Sequence, residues 1–312
     1  MEAAEITAEG VRRSFGKVHA VRDVTFRAPA GAVTGLVGPN GSGKTTLLLM
    51  LASLLAPDAG SIRIAGIDPV ADPAAARAVL GWMPDALGAW PSLTARETLA
   101  VTGRLSGLPR DRAAARAAEL LDTVGLAELA DTQARVFSRG QKQRLGLARA
   151  LVHDPRVLLL DEPASGLDPQ ARIELRVLLR RLAAEGRTVL ISSHILAELE
   201  EVVDDAVFLV AGETVSAERL ADAAATGRPR AWRLRLADRD ATAAALPVAQ
   251  TLGLDVALVR IDRRDLVLHF DGDAAAASAL ARLVHAGLPV AEFAAATGVL
   301  EQTFLDLESG AR

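Results

Sequence analysis

The spacing of apolar positions changes along the chain, and the changes predict its elements. Residues 5–13, 20–28 and 32–37 alternate or run apolar and predict three strands, with Phe15 in the turn between the first two. Residues 46–52 predict a helix; a turn at 57–60 leads to a strand at 61–65, and another strand over 79–84 ends at Asp85. Beyond Asp85 the pattern becomes helical. Thr94-Ala95-Arg96-Glu97 forms a capping box, 111–124 is rich in Ala and Leu, and 142–152 carries apolar residues at helical spacing after Ser138, a natural N-cap. Uninterrupted apolar runs at 157–160 and 188–192 predict buried parallel strands. Asp168-Pro169 opens a further helix, with Asp as cap and Pro at the first position. These elements predict an α/β domain over residues 1–226, a mixed-sheet core with an α-helical insert at about 86–155.

Gly227-Arg228-Pro229-Arg230 has the composition of a linker. After it come strands at 231–236, 255–261, 266–270 and 288–294, with helices at 240–252, 273–286 and 300–307. The order βαββαβ predicts a small C-terminal α+β domain of ferredoxin-like type over 231–312.

A length of 312 residues suits roughly two domains, and 50% hydrophobic residues provide a sizeable core. The formal net charge of −4 and a pI near 5.8 argue against nucleic acid as a partner. The absence of cysteine excludes disulfides and thiolate zinc sites and fits a cytoplasmic protein. The acidic N-terminus lacks the pattern of a signal peptide, and no apolar run reaches the roughly 18 residues of a membrane helix. The expectation is a chain that meets a membrane only through a partner.

The chemistry concentrates at 38–45, Gly-Pro-Asn-Gly-Ser-Gly-Lys-Thr, which matches G-x-x-x-x-G-K-[ST] between an apolar strand and a helix. Gly38, Gly41 and Gly43 allow backbone conformations that turn N–H groups inward around a polyphosphate. The helix that follows aims its N-terminus at the same anion. Lys44 is placed to reach the β- and γ-phosphates and Thr45 to offer a hydroxyl to Mg²⁺. The run 157–160 ends in Asp161 and Glu162, at the end of a strand where α/β sheets bind ligands. Asp161 is the candidate Mg²⁺ ligand and Glu162 the candidate for polarising the attacking water. His194 ends the strand at 188–192 on the same side; His19, His153, His269 and His285 are taken as structural or surface. Phe15 is either a packing residue or a ring stacked on a nucleotide base.

This ordered set resembles the ATP-binding subunit of an ABC transporter over roughly residues 5–217. Residues 38–45 resemble the Walker A loop, and Phe137-Ser138-Arg139-Gly140-Gln141 the signature motif. Residues 157–162 resemble Walker B with its catalytic glutamate, Ser165-Gly166-Leu167-Asp168 the D-loop, and His194 the switch histidine. The resemblance implies a P-loop ABC ATPase fold. It assigns nucleotide contacts to Phe15, Gly38, Asn40, Gly41, Ser42, Gly43, Lys44, Thr45, Thr46, Ser138, Gly140 and Gln141. It assigns Mg²⁺ to Thr45, Asp161 and Asp85, and catalysis to Lys44, Glu162 and His194. Three positions depart from the family pattern: Asp85 stands where glutamine is usual, Arg139 where glycine is, and Phe15 where tyrosine is commoner.

The family arrangement implies a head-to-tail dimer, here a homodimer, with ATP between Walker A of one subunit and the signature helix of the other. It implies a separate membrane-spanning permease as partner, a peripheral position on the cytoplasmic face, and a cargo that this chain does not bind. Residues 86–91, with Trp90, are the expected docking surface unless Trp90 simply packs. The tail, ending in Leu300-Glu301-Gln302-Thr303-Phe304-Leu305, resembles those of export ATPases of the drug- and antibiotic-resistance branch. It would serve dimer contact or regulation, or be an inert appendage. Two alternatives remain at this point: a soluble ABC ATPase acting on ribosomes or DNA, and a regulatory ATP-binding module that rarely hydrolyses.

Overall fold

The computed structural model describes residues 4–86, 90, 92–193, 195, 199–216, 229–237, 240–296, 298 and 302–303. Contacts divide the chain into two compact units, Met1–Val215 and Ser216–Arg312.

The first unit is built on a nine-stranded mixed sheet. Its strands are β1 (Ile6–Phe15), β2 (Val18–Ala28), β3 (Val33–Val37), β4 (Ala59–Ile64), β5 (Leu80–Met83), β6 (Val157–Asp161), β7 (Thr188–Ser193), β8 (Asp205–Val210) and β9 (Glu213–Thr214), in the order β4-β1-β2-β9-β8-β3-β7-β6-β5. From β8 to β5 all neighbours are parallel, with Leu36 beside Ser192, Leu159 beside Leu190 and Met83 beside Leu160. Every residue of β3, β6 and β7 is buried, as expected for central parallel strands covered on both faces. The outer β1, β2 and β4 pair antiparallel. Here burial tends to alternate along the strand, the mark of one solvated face.

Among the described residues the unit's helices include α1 (Lys44–Leu51), α2 (Pro73–Val79), α3 (Ala95–Leu105), α4 (Arg110–Thr123), α5 (Arg139–Leu151) and α6 (Pro169–Ala184). The capping box of α3 forms: the Thr94 hydroxyl accepts from Glu97 N–H, and Glu97 accepts from Thr94 N–H. The segment from α3 through α5 leaves the sheet after β5 and returns at β6, its parallel neighbour. Leu47, Leu48, Leu51, Leu159 and Leu190 belong to a core beneath the sheet.

Several expectations need correcting. Phe15 closes β1 and is not in the turn. Helix α5 begins at Arg139, because the box between Ser138 and Gln141 makes residues 139–141 its first turn. The pattern did not reveal α2, β8 or β9, since Ala-rich 73–79 has no apolar stripe and β9 is only two residues long.

The second unit contains β10 (Arg230–Leu236), α7 (Ala241–Leu252), β11 (Arg260–Asp262), β12 (Asp265–Phe270), α8 (Gly272–His285) and β13 (Val290–Ala295). Its sheet runs β11-β12-β10-β13 with every pair antiparallel. Leu234, Val248, Leu268 and Leu283 form its core, and Trp232 stacks on Phe293 at 5.0 Å. The strand expected at 255–261 is largely a 3-10 turn, Val256–Leu258, because the Asp255 carboxylate accepts from Ala257 N–H and caps it. Of the linker expected at 227–230, Arg230 instead opens β10, and 227–228 lie outside the described residues, as does all but 302–303 of the last helix expected at 300–307.

Candidate functional site

Strands β3, β7, β6 and β5 are parallel neighbours, so their carboxyl ends share one edge of the sheet. That edge carries the 38–45 loop after β3, Ser193 at the end of β7, Asp161 and Glu162 at the end of β6, and Asp85 just past β5. A cavity of about 510 Å³ opens there. Asn40, Gly41, Gly43, Lys44, Thr45 and Thr46 line it on the loop side. Asp85, Asp161 and Glu162 line it as well.

The loop geometry follows from its residue types. Gly43 has φ 101°, and a Cβ there would come within 2.3 Å of the Ala20 carbonyl oxygen. No side chain caps the first turn of α1, so its N–H groups are not engaged by a capping oxygen. Lys44 is buried, 7% exposed, and its ammonium donates to the carbonyls of Gly38 at 2.6 Å and Pro39 at 3.1 Å. Burial pushes its pKa down, while the Glu162 and Asp161 carboxylates pull it back up. Such a cation gains most from a further anion.

Asp161 is buried and held by two hydroxyls: Ser192 Oγ donates to Oδ1 at 2.5 Å and Thr45 Oγ1 to Oδ2 at 3.3 Å. Glu162 turns sharply out of β6 at φ 51°, a left-handed conformation costing of the order of 1–3 kcal/mol for a non-glycine residue. Its N–H donates to both the carbonyl and the hydroxyl of Ser192, each at 3.2 Å, which holds the bend.

Other expected residues stand apart from the cavity lining. Phe15 is 48% exposed, with the Arg13 guanidinium 4.9 Å from its ring centroid. Ser138 and Gln141 engage each other: Gln141 N–H donates to the Ser138 hydroxyl at 3.2 Å, and Ser138 N–H to the Gln141 amide oxygen at 2.9 Å. Gly140 follows in the first turn of α5, and Ser42 is buried within the loop. His194 lies outside the described residues, as do 87–89 and 91 of the expected docking stretch. Trp90 is 41% exposed, with the Arg149 guanidinium 6.0 Å from its ring.

The cavity also holds residues that sequence reasoning did not place there. His19, taken as structural or surface, lines it and pairs through Nδ1 with the Ser14 hydroxyl at 2.9 Å. Arg139 and Ser165 line it too. Nothing in the local sequence around His19 marks it, because β2 comes to the loop only through the sheet.

The ABC transporter family profile matches residues 21–165. A daunorubicin resistance ATP-binding protein of Streptomyces coeruleorubidus is 37% identical over 311 residues, covering 98% of this chain and 96% of the relative. The chain belongs to the ABC transporter ATP-binding family. A linearmycin resistance ATP-binding protein of Bacillus subtilis is 36% identical over 211 residues, 68% of each chain. A Nod factor export ATP-binding protein of Paraburkholderia xenovorans is 43% identical, over 65% of this chain and 66% of its own. Among solved structures, an ATP-binding subunit of an ABC transporter aligns with TM-score 0.63 at 27% identity, over 70% of this chain and 92% of that one. A dimeric, post-hydrolysis cassette bound to ADP and Pi aligns with TM-score 0.62 at 26% identity, over 68% and 97%. The P-loop ABC ATPase fold, ATP binding and ATPase function of this chain follow from that membership. Among the described residues no helix is long and apolar enough to cross a membrane.

Proposed function

We propose that this ABC ATP-binding subunit drives export through a separate membrane-spanning permease, as a homodimer held peripherally on the cytoplasmic face. The observation that carries the reading is the match to a resistance ATP-binding protein along 98% of the chain, second unit included. The dimeric cassette neighbour supports pairing of two such subunits.

In this reading Lys44 gives up its bonds to the Gly38 and Pro39 carbonyls for the β- and γ-phosphates. Gly38, Asn40, Gly41, Ser42, Gly43 and Thr46 cradle the phosphates through loop and helix N–H groups. Thr45 and Asp161, already 3.3 Å apart, form an oxygen donor set that suits Mg²⁺, with Asp85 within the same cavity. Mg²⁺ there would neutralise charge on the β- and γ-phosphates. Glu162 orients and polarises the attacking water, and His194 holds water and γ-phosphate in line. Phe15 offers its exposed face to the adenine. Ser138, Gly140 and Gln141 of one subunit meet the nucleotide of the other.

The second unit is ferredoxin-like in this reading. Its order of fourth, first, third and second strand, all antiparallel, supports that assignment, and its role is dimer contact or regulation. Residues 86–91 dock the permease, with half-exposed Trp90 at the contact. Neither nucleic acid nor the exported molecule binds this chain.

The test is co-purification from solubilised native membranes with the Glu162→Gln protein, which should stall as a closed, ATP-bound dimer. A polytopic membrane protein recovered only with Mg–ATP present supports the reading. Recovery of ribosomes or DNA instead, with nucleotide binding intact, sinks the membrane assignment. Trp90→Ala should abolish recovery of the permease; unchanged recovery retires the docking surface.

A further inference from the structure

The cavity carries three carboxylates, Asp85, Asp161 and Glu162, against two fixed cations, Lys44 and Arg139. Asp161 is committed to the Ser192 and Thr45 hydroxyls, and Lys44 lies between Asp161 and Glu162 electrostatically. Asp85 adds a further negative charge on the wall of a cavity that takes a polyanion. Arg139, at the start of α5, reaches across to it: Nη2 lies 3.8 Å from Asp85 Oδ1 and donates to the Ser165 hydroxyl at 2.6 Å. The arginine's stem crosses Gly166, where φ is 75° and a Cβ would come within 2.5 Å of Arg139 Cδ. The glycine is what leaves room for it. Three segments far apart in sequence, after β5, at the start of α5 and after β6, are thus joined by one guanidinium within a single chain.

We propose that Arg139 and Asp85 are a compensating charge pair on the wall of the nucleotide cavity, with Arg139 a positioning residue for the triphosphate in its own chain. Unpaired, Asp85 repels the γ-phosphate; paired, its field is offset and Ser165 is held at the cavity edge. Both side chains are more than half exposed, so the pair contributes little to folding and its effect falls on the bound anion. The inference rests on the cavity being the nucleotide site.

The experiment is a double-mutant cycle on the full chain, reading the dissociation constants of Mg–AMP-PNP and Mg–ADP by calorimetry at low salt, with Tm measured alongside. Arg139→Ala should weaken AMP-PNP about tenfold and ADP by distinctly less, with Tm unmoved. In the Asp85→Asn background the same change should cost less than about threefold. Arg139→Lys, which keeps the charge, should retain most of the affinity. An equal loss from Arg139→Ala in both backgrounds, or an equal loss for ADP and AMP-PNP, overturns the pair. If the unaltered chain binds neither nucleotide, the reading of the cavity falls first and this inference with it.

Discussion

Both units pair a sheet with helices, but they treat their charged groups differently. In the first, four neighbouring parallel strands end on the same edge, and each delivers polar residues there: the 38–45 loop, Ser193, Asp161 with Glu162, and Asp85. In the second, every pair is antiparallel, so consecutive ends point in opposite directions and no edge gathers them. Its charged groups pair with one another, as others of the first unit do away from the cavity, Arg13 with Asp58 and Arg187 with Asp154 among them. Arg235 binds Asp265 at 2.7 Å and Glu292 at 3.0 Å, and Arg230 lies 3.4 Å from Asp273. Strand direction, more than composition, decides where a site can form.

The strongest way to sharpen that contrast is at Glu162. Glu162→Gln should lower turnover by roughly 10²–10⁴-fold, the usual contribution of a positioned acid–base group, while nucleotide affinity is kept. Stopped-turnover assays beside calorimetric binding would check it; parallel loss of binding would mean that the carboxylate holds the loop and does not act on water. The second unit should respond in the opposite way. Leu268 is fully buried in its core, and Leu268→Ala should destabilise that unit by about 2–5 kcal/mol. Two thermal transitions, with only one shifted and Mg–ATP binding unchanged, would bear out the independence of the units' cores. A single shifted transition with lost binding would break the comparison.

The contrast also explains what could be foreseen. The buried runs 33–37, 157–161 and 188–193 announce central strands because both faces are covered, so no alternation blurs them. The phosphate loop is legible because its glycines, lysine and threonine sit in one continuous stretch. His19 was not legible: it joins the cavity from β2 through long-range strand pairing, which leaves no local mark. Arg139 showed only as an odd residue. Its contact with Asp85 depends on α5 packing against β5, which brings residues 54 positions apart in sequence together. In the second unit the strand expected at 255–261 starts only at Arg260, because Asp255 satisfies a turn's N–H, a local bond that competes with sheet pairing.

Backbone geometry should give the next effect in size. Gly43→Ala forces a Cβ to 2.3 Å from the Ala20 carbonyl at φ 101°, so the loop or β2 must shift. A loss of about 1–3 kcal/mol in the first unit is expected, with weakened Mg–ATP binding. Gly253 of the second unit, at φ 64°, has only the tip of Arg282 at 3.8 Å, so Gly253→Ala meets backbone strain without a clash and should cost less. Urea melts of the two variants would rank them; the reverse order would mean that the loop yields easily.

The smallest expected effect is a pH dependence of the first unit. His153 follows α5 and its Nε2 lies 3.0 Å from the Leu80 carbonyl oxygen, an arrangement the neutral ring satisfies by donating. Burial pushes its pKa below the usual 6.5, against smaller upward pulls from the Leu80 hydrogen bond and Asp154. The neutral ring is therefore the form the fold prefers. Its contribution is whole above pH 6.5 and is lost as pH falls through the depressed folded value, where protonation charges a partly buried group. Melting followed from pH 7.5 to 5 should show the first unit losing stability on the acid side, and His153→Gln, which keeps a donor for Leu80, should flatten that loss. The second unit has His269 and His285, and His285 Nδ1 lies 2.9 Å from the carbonyl of Ala281 on an exposed turn of α8. An acid-side loss that survives His153→Gln would overturn the assignment to His153.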